Sequence, residues 1–339
     1  MFEPELCKSG YLVVTDYLPA DGQTDVADRI NQLIEENPNR TLYFPDGVYR
    51  ISTPILTPAH PEKSVALRLS NYATVQATDD WNGDGALIRL GATHKANDIR
   101  TNGSNYSLIG GILDGRGVAD GVSIDGGRET MVRDVSIKHT RIGLHIKFGA
   151  NNQSSDADIY GVNIIGNGCV DSIGVLIEGH DNTLSNMRIA DVQCGVVIRS
   201  SGNMLRSIHP LYTCEYEDYE NSCGFWDCTH GGNWYDFCYS DHFGIGFRTA
   251  EGIASIYNNC FCMWYAARGS SHTVFRADGQ FSSLVSQLRI GFHADMQENY
   301  VLSVGQEGGF GVFEKLIVDP RKPANDAHVP YLQGINPFR

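Results

Sequence analysis

The sequence predicts an all-β chain, a single-stranded right-handed parallel β-helix (a solenoid) with an N-terminal capping α-helix. A tetrad of glycine, apolar residue, any residue and apolar residue recurs, and 22 residues separate Gly121 from Gly143. Short alternating runs broken by Gly, Asn and Asp fill the chain after residue 51, and glycine accounts for 37 of 339 residues. One coil of such a repeat cannot bury its own apolar face, so stacked coils have to create the core.

Residues 1–40 are expected to form the cap. An apolar stripe predicts a helix over residues 21–36, with Thr24 or Asp25 as the N-cap and Asn37-Pro38 as its end. This helix would cover one open end of the apolar tube, where unpaired strand edges invite association. Strands at Thr41–Phe44 and Val48–Ile51, joined by a turn, begin the solenoid.

Residues 41–305 are predicted to form the solenoid, with about 11–12 coils. A second strand type accompanies the tetrads, and residues 306–339 are expected to be an irregular C-terminal extension. The clear tetrads start at Gly121, Gly143, Gly174 and Gly195, with weaker copies at Gly224 and Gly246. The second strands are Met131–Ile137, Asp158–Ile164, Thr183–Ile189 and Met204–Leu211.

The composition excludes several classes of partner. The formal net charge of −14 disfavours nucleic acid and anionic membranes, and no apolar run is long enough for a transmembrane helix. The first residues lack the pattern of a secretion signal, so a cytoplasmic location is expected, or a secreted one if the natural chain starts earlier. Nine cysteines without zinc-ligand spacing predict reduced thiols and no metal or other cofactor.

The residues Asp21-Gly22-Gln23-Thr24-Asp25, followed by a helix and then by Leu42 to Ile51, resemble the opening of the pectate-lyase-like superfamily of right-handed β-helices. The resemblance implies activity on carbohydrates and a homo-oligomer, for which a trimer is one form. Gly111 to Gly117 is similar to an early coil of polygalacturonases, although the paired-aspartate and Gly-His-Gly motifs of that family are absent. The run from Asp171 to Asn182 is loosely similar to the acidic coil of inulin fructotransferases and difructose-anhydride hydrolases.

Catalytic carboxylates are expected where the tetrads place them on the outer wall. The position after each tetrad points outward and stacks from coil to coil, which gives the column Asp125, Lys147, Glu178 and Arg199. Glu178 between two cations is expected to stay ionised, which suits a nucleophile or a stabilising charge. A catalytic pair is therefore sought among Glu178, Asp171, Asp181 and Asp191. The alternative is a surface ion-pair ladder with aspartates that only cap turns.

Sugar-binding residues are expected on two outer columns and in an aromatic region over residues 212–243. Ser136, Asn163, Arg188, His209 and Tyr239 form a second outward column on the other strand type. Ordinary polar sheet surface and aromatic core packing are the alternatives. The predicted substrate-binding residues are Lys147, Arg188, Arg199, His209, Trp226, Trp234, Tyr239 and Asp241.

These patterns favour an enzyme that cleaves or transfers glycosidic bonds of a neutral oligosaccharide or polysaccharide, with a fructan-type substrate as the most specific expectation. The chemistry would be acid/base catalysis by two carboxylates. A polysaccharide lyase acting on a uronate-containing glycan is one alternative, because basic side chains lie on the outer columns. A non-catalytic glycan-binding fibre or tailspike module is another.

Overall fold

The computed structural model describes residues 10–94, 107–147, 156–214, 218–228, 231–264, 272–292, 300–303, 311–318 and 331–333. Its strands pair in parallel with strands one coil further along the chain, which confirms the parallel β-helix. Each regular coil contributes one strand to each of three ladders, here called a, b and c. The chain divides into two compact units: unit 1 holds residues 1–167 and 178–182, and unit 2 holds residues 168–177 and 183–339.

Unit 1 contains the first sixteen strands and one α-helix, α1 (Ala27–Glu36). Ladder a comprises β1 (Tyr11–Val13), β3 (Thr41–Phe44), β6 (Ala66–Leu69), β9 (Ser107–Ile109), β12 (Met131–Arg133) and β15 (Asp158–Tyr160). Ladder b comprises β2 (Asp21–Asp25), β4 (Gly47–Ile51), β7 (Ala73–Ala77), β10 (Ile112–Asp114), β13 (Ser136–Thr140) and β16 (Asn163–Gly166). Ladder c comprises β5 (Ile55–Pro58), β8 (Ala86–Thr93), β11 (Asp120–Ile124) and β14 (Ile142–Ile146).

Unit 2 repeats the same arrangement. The long strands β18 (Thr183–Ala190) and β20 (Met204–Leu211) bend and serve both ladder a and ladder b. Ladder a continues with β22 (Trp234–Asp236), β25 (Ile256–Asn258), β28 (Leu284–Val285) and β31 (Val312–Phe313), and ladder b with β23 (Tyr239–Asp241), β26 (Cys260–Trp264), β29 (Leu288–Phe292) and β32 (Leu316–Val318). Ladder c comprises β17 (Ile173–Ile177), β19 (Cys194–Ile198), β21 (Cys223–Asp227), β24 (Ile245–Ala250), β27 (His272–Asp278), β30 (Tyr300–Ser303) and β33 (Tyr331–Gln333).

A left-handed residue turns the chain from ladder a to ladder b. Sequence patterning predicted single strands across this point, and the structure corrects them: Met131–Ile137 and Asp158–Ile164 each split into two strands, and the two longer strands bend. Short polar residues or glycine suit this backbone conformation because a small side chain tolerates positive φ. The corner residues are Asp134, Gly161, Asn186, Ser207, Phe237 and Asn259.

The tetrad glycines pack along one line in ladder c. A Cβ atom on Gly195 would lie 2.5 Å from the carbonyl oxygen of Gly224 and 2.4 Å from Cβ of Pro210. The same close approach to the next tetrad glycine is found at Gly121, Gly174 and Gly224. The tetrads begin with glycine because no side chain fits between the stacked coils at this point.

The N-terminal helix is shorter than the sequence predicted. Asp21–Asp25 forms strand β2 instead of the first helical turns, and the residue at the N-cap is Val26. Asp25 still acts at the helix start, because its Oδ1 accepts the N–H of Ala27 at 3.1 Å and its other oxygen accepts the hydroxyl of Ser52. Residues 21–25 lack apolar alternation, so their pairing with β4 left no signal in the sequence.

The segment from residue 306 onward was expected to be irregular, and within its described residues three short strands correct that expectation. Val312–Phe313 pairs with β28, Leu316–Val318 with β29, and Tyr331–Gln333 with β30. Phe313 is buried against Phe275 and Phe281, which extends the aromatic core. Coiling therefore continues beyond residue 305, while the boundaries of cap, solenoid and extension stay predictions. Among the described residues no helix is long and apolar enough to cross a membrane.

Candidate active site

The outer face of ladder c in unit 1 carries a charged cluster around Asp125. Arg89 binds its Oδ2 through Nε at 2.9 Å and Nη2 at 2.5 Å, while Lys147 Nζ and the Ser123 hydroxyl bind Oδ1 at 2.9 and 2.5 Å. Burial alone would raise the pKa of Asp125, but these hydrogen bonds and the Lys147 charge outweigh it and lower the pKa. Two cations around one carboxylate leave the cluster with excess positive charge.

Glu178 follows in the same column as Asp125 and Lys147. The backbone N–H of Lys147 donates to Ile124 at 3.0 Å, and that of Glu178 donates to Ile146 at 2.7 Å, which confirms the predicted stacking of this column. The Oε2 atom of Glu178 lies 2.8 Å from Nε2 of His145. The side chain of Glu178 is 30% exposed and that of His145 is 20% exposed, so both can be reached from solvent.

Glu178 opens a tight loop that also carries Asp181. Asn182 closes this loop, because its Nδ2 donates to the carbonyl of Gly179 at 2.9 Å and its Oδ1 accepts the N–H of Ala157 at 2.9 Å. Asp181 has positive φ at the loop's tip and is exposed. Unit 1 therefore carries two of the four predicted carboxylates, three residues apart on one closed loop.

The other two predicted carboxylates lie in unit 2. Asp191 adopts positive φ at a turn, accepts the hydroxyl of Thr213 and lies 3.8 Å from the thiol of Cys214. The Asp191 N–H donates to the same Thr213 hydroxyl at 3.2 Å, so this carboxylate fastens one turn to the next. Asp171 is exposed at the turn that precedes β17. The contacts of Asp191 fit the turn-capping alternative.

The second outward column is confirmed within each unit. Ser136 pairs with Asn163 in unit 1, and Arg188 pairs with His209 in unit 2. The rings of His209 and Tyr239 are stacked at 4.0 Å between centroids. The stack continues through Phe261, whose ring lies 4.8 Å from Tyr239.

Asp241 follows Tyr239 by two residues in the same strand, β23, and is only 5% exposed. Nδ1 of His242 is 2.6 Å from its Oδ1, and Oδ2 accepts the Tyr239 hydroxyl at 2.9 Å and lies 3.3 Å from Nε2 of His209. Burial alone would raise its pKa, but the hydrogen bonds from His209, His242 and Tyr239 outweigh that effect and lower the pKa to about 2. Asp241 is thus a fixed negative charge that orients His209, as the acid of a catalytic triad orients its histidine.

The aromatic residues predicted to bind sugar divide between core and surface. Trp226 lies under Arg248, whose guanidinium carbon is 4.2 Å from the ring centroid, and Trp234 is 45% exposed on ladder a. Phe237 is also exposed, whereas Tyr216 lies outside the described residues. The members that pack in the core are Tyr212, Tyr219, Phe225, Tyr235 and Phe243.

The remaining cation of the predicted wall, Arg199, is exposed in unit 2, and its N–H donates to the carbonyl of Ile177 at 2.7 Å as the register requires. Within the described part of the chain, no group of three or more His, Cys, Asp or Glu side chains is arranged to hold a metal ion. The eight described cysteines are free thiols.

Sequence patterns missed two parts of these sites. His145 occupies the third position of the tetrad Gly143-Leu144-His145-Ile146, and its diagonal contact with Glu178 depends on side-chain rotamers that spacing does not fix. Arg89 was missed because β8 does not begin with a tetrad glycine. His209 and Asp241 were both predicted to bind substrate, but spacing did not predict their contact with each other.

Comparison with known proteins supports the fold. The family model described as "Rhamnogalacturonase A/epimerase, pectate lyase-like" matches residues 13–216, more than half of the chain. No curated protein sequence matches the chain. The catalytic domain of a GH87 α-1,3-glucanase, an aspartate-to-alanine variant in complex with tetrasaccharides, is 10% identical with a TM-score of 0.58, covering 96% of this chain and 68% of that one.

Two further solved structures share the fold. PfbA, a surface adhesin of Streptococcus pneumoniae, has a TM-score of 0.56 at 12% identity and covers 95% of this chain and 93% of its own. ORF18 of Geobacillus virus E2 has a TM-score of 0.52 at 13% identity and covers 91% of this chain. The chain spans 60% of the length of ORF18. At these identities the likeness shows the fold alone.

Proposed function

Because the chain belongs to the rhamnogalacturonase A/epimerase, pectate lyase-like family, whose parallel β-helices act on carbohydrates, we propose that it cleaves or transfers glycosidic bonds at the Glu178 loop of unit 1. The observation that carries the proposal is the contact of Glu178 with His145 on an accessible outer face. It rests further on the excess positive charge held by Arg89, Lys147 and Asp125 in the same wall.

The proposed roles follow from charge. The carboxylate of Glu178 would face the positive charge that develops at the anomeric carbon when the bond to the leaving oxygen breaks. Asp181, exposed at the tip of the same loop, would supply the proton that the leaving oxygen takes. Water or a sugar hydroxyl then forms a bond to the anomeric carbon and gives its proton back to Asp181, so water results in cleavage and a sugar hydroxyl in transfer.

A neutral oligosaccharide remains the proposed substrate, with fructans first among those to test. The formal net charge of −14 supports this choice, because a chain of such charge repels polyanions at long range. A cytoplasmic location and a homo-oligomeric state stay predictions.

The test compares wild type with Glu178→Gln and Asp181→Asn on fructans, glucans and uronate-containing glycans, with release of reducing ends as the readout. Each variant is expected to lose at least a hundredfold in kcat on a substrate that the wild type degrades. The matched control is Glu62→Gln, which neutralises an exposed carboxylate elsewhere in unit 1 and should keep full activity. Full activity in both Glu178→Gln and Asp181→Asn contradicts the proposal.

A second candidate, a polysaccharide lyase, is favoured by the His209–Asp241 pair beside Arg188. In that reaction an oriented histidine would remove the proton α to a uronate carboxylate, while the arginine offsets the carboxylate charge. The bond from the β-carbon to the glycosidic oxygen breaks as the double bond forms, and the leaving oxygen takes a proton from solvent. A lyase product carries a new carbon–carbon double bond and absorbs ultraviolet light, which a hydrolase product does not. Such absorbance, abolished by His209→Ala and retained by Glu178→Gln, would favour this candidate over the first.

A further inference from the structure

Unit 2 exposes an apolar column on the outer face of ladder a, a different ladder from the one that carries His209 and Asp241. Met204, Trp234 and Ile256 stack in register, and Leu284 and Val312 continue the column. Met204 is 48% exposed, Trp234 45% and Val312 44%. Ile256 is 36% exposed and Leu284 is half-buried. Apolar side chains in register over five successive coils form a patch, which marks an interaction site when it is bordered by polar residues.

Phe237 follows strand β22 of this column and has a left-handed backbone conformation, which is unfavourable for a bulky side chain. It occupies the corner between ladders a and b with φ 53°, where the described coils around it place Asn186, Ser207 and Asn259. A bulky residue in the left-handed region is a strained exception, and such strain is retained where function requires it. The ring is 53% exposed, so burial in this chain does not offset the strain.

Polar side chains lie next to Trp234, because Arg206 and Asn258 on the neighbouring strands stand in register with Asp236. Nε of Arg206 is 3.6 Å from Asp236, and Nδ2 of Asn258 donates to Oδ1 of Asp236 at 3.0 Å. These groups are partly exposed and retain further donors and acceptors toward solvent. Two exposed aromatic residues on one coil, with hydrogen-bonding groups beside them, suit a ligand that has both apolar faces and hydroxyl groups.

We propose that Trp234 and Phe237, with the neighbouring residues Arg206, Asp236 and Asn258, bind a neutral glycan chain at a non-catalytic site. This inference concerns a surface of unit 2 distinct from the Glu178 loop, and it rests on the family's action on carbohydrates but not on the roles proposed for Glu178 and Asp181. Sugar rings would lie against the aromatic side chains while their hydroxyl groups bond to the polar residues. A neutral chain fits the formal net charge of −14.

The size of the patch favours a glycan over a second copy of the chain. Three side chains somewhat under half exposed and two that are less exposed offer on the order of 400 Å² at most, whereas a standard protein interface buries about 800 Å² on each partner. Aromatic residues with polar neighbours also fit an extended glycan chain, which contacts a narrow row of side chains.

The experiment measures retardation of the protein in native gels that contain inulin, dextran or a β-glucan. We expect at least one of these polysaccharides to retard the wild type, and Trp234→Ala and Phe237→Asn each to weaken that binding at least tenfold. Asparagine accepts the left-handed corner, so Phe237→Asn should also raise Tm by about 1–2 °C. If Phe237→Asn is more stable than the wild type but binds the polysaccharide more weakly, Phe237 serves ligand binding and not packing.

The matched control is Tyr72→Ala, which removes an aromatic side chain that is 75% exposed in unit 1 and should leave retardation unchanged. Glu178→Gln should also be retarded like the wild type, so loss of turnover and loss of binding can be assigned to different sites. The proposal is overturned if none of the three polysaccharides retards the wild type, or if both variants are retarded equally with it. It is also overturned if light scattering shows an oligomer that Trp234→Ala dissociates, because the patch then binds a second copy.

Discussion

Two buried aspartates of unit 2 have pKa values shifted in opposite directions. Asp241 receives hydrogen bonds from two histidines and a tyrosine, which lower its pKa to about 2. Asp227 is fully buried, and burial raises its pKa to about 6 although Ser255, Asn233 and Tyr235 all donate to it. The donors around Asp227 lower its pKa less than burial raises it, whereas the two histidines and Tyr239 lower the pKa of Asp241 more than burial raises it.

Asp227 makes stability depend on pH. Its pKa lies above the unfolded value of about 3.9, so the folded state binds the proton more tightly and stability falls as pH rises from about 4 through 6. Asp227→Asn removes this titration, and the stability of the variant relative to wild type should increase by about 2 kcal/mol between pH 4 and pH 7. Denaturant unfolding of both proteins at the two pH values measures it, and an unchanged difference contradicts the assignment.

His145 is proposed as a positioning residue, because its ring contacts Glu178 rather than the reacting bond. In His145→Asn the carboxylate loses its oriented donor, so kcat should fall at least tenfold while KM changes less than twofold. Steady-state kinetics on the substrate that the wild type degrades measures this split. If KM instead rises tenfold or more, His145 is a residue that binds the sugar.

At the scale of elements, the tetrad repeat is explained by close packing in ladder c. Gly195→Ala would press a methyl group against Pro210 and the carbonyl of Gly224, and we expect a cost of about 1–3 kcal/mol in the free energy of unfolding. Denaturant unfolding measures it. The comparison variant is Gly117→Ala, where no atom lies within 4 Å of the added Cβ and only the positive φ of 79° opposes it. A smaller cost at Gly195 than at Gly117 would contradict the packing argument.

The sequence allowed the coils to be predicted because stacking fixes register once the period is known. The columns Arg188–His209 and Lys147–Glu178 follow from that register alone. The diagonal contact of His145 with Glu178 was not predictable, since neighbouring coils offer each side chain several partners. Strand β2 was missed for a different reason, because its polar residues pair through the backbone and leave no apolar pattern.

At the scale of the whole molecule, the chain is a parallel β-helix of a carbohydrate-active family whose repeating core leaves its outer faces free to vary. Three outer faces carry different chemistry: carboxylates with cations on ladder c of unit 1, a histidine–aspartate pair on ladder b of unit 2, and exposed aromatics on ladder a of unit 2. Function is therefore assigned from these faces.

The most direct measurement is a crystal structure of Glu178→Gln soaked with an oligosaccharide that the wild type degrades. The proposed function predicts electron density for a sugar ring within hydrogen-bond distance of residue 178 and His145, with a glycosidic oxygen near Asp181. Sugar density that contacts His209 and Arg188 and leaves the Glu178 loop empty would contradict it.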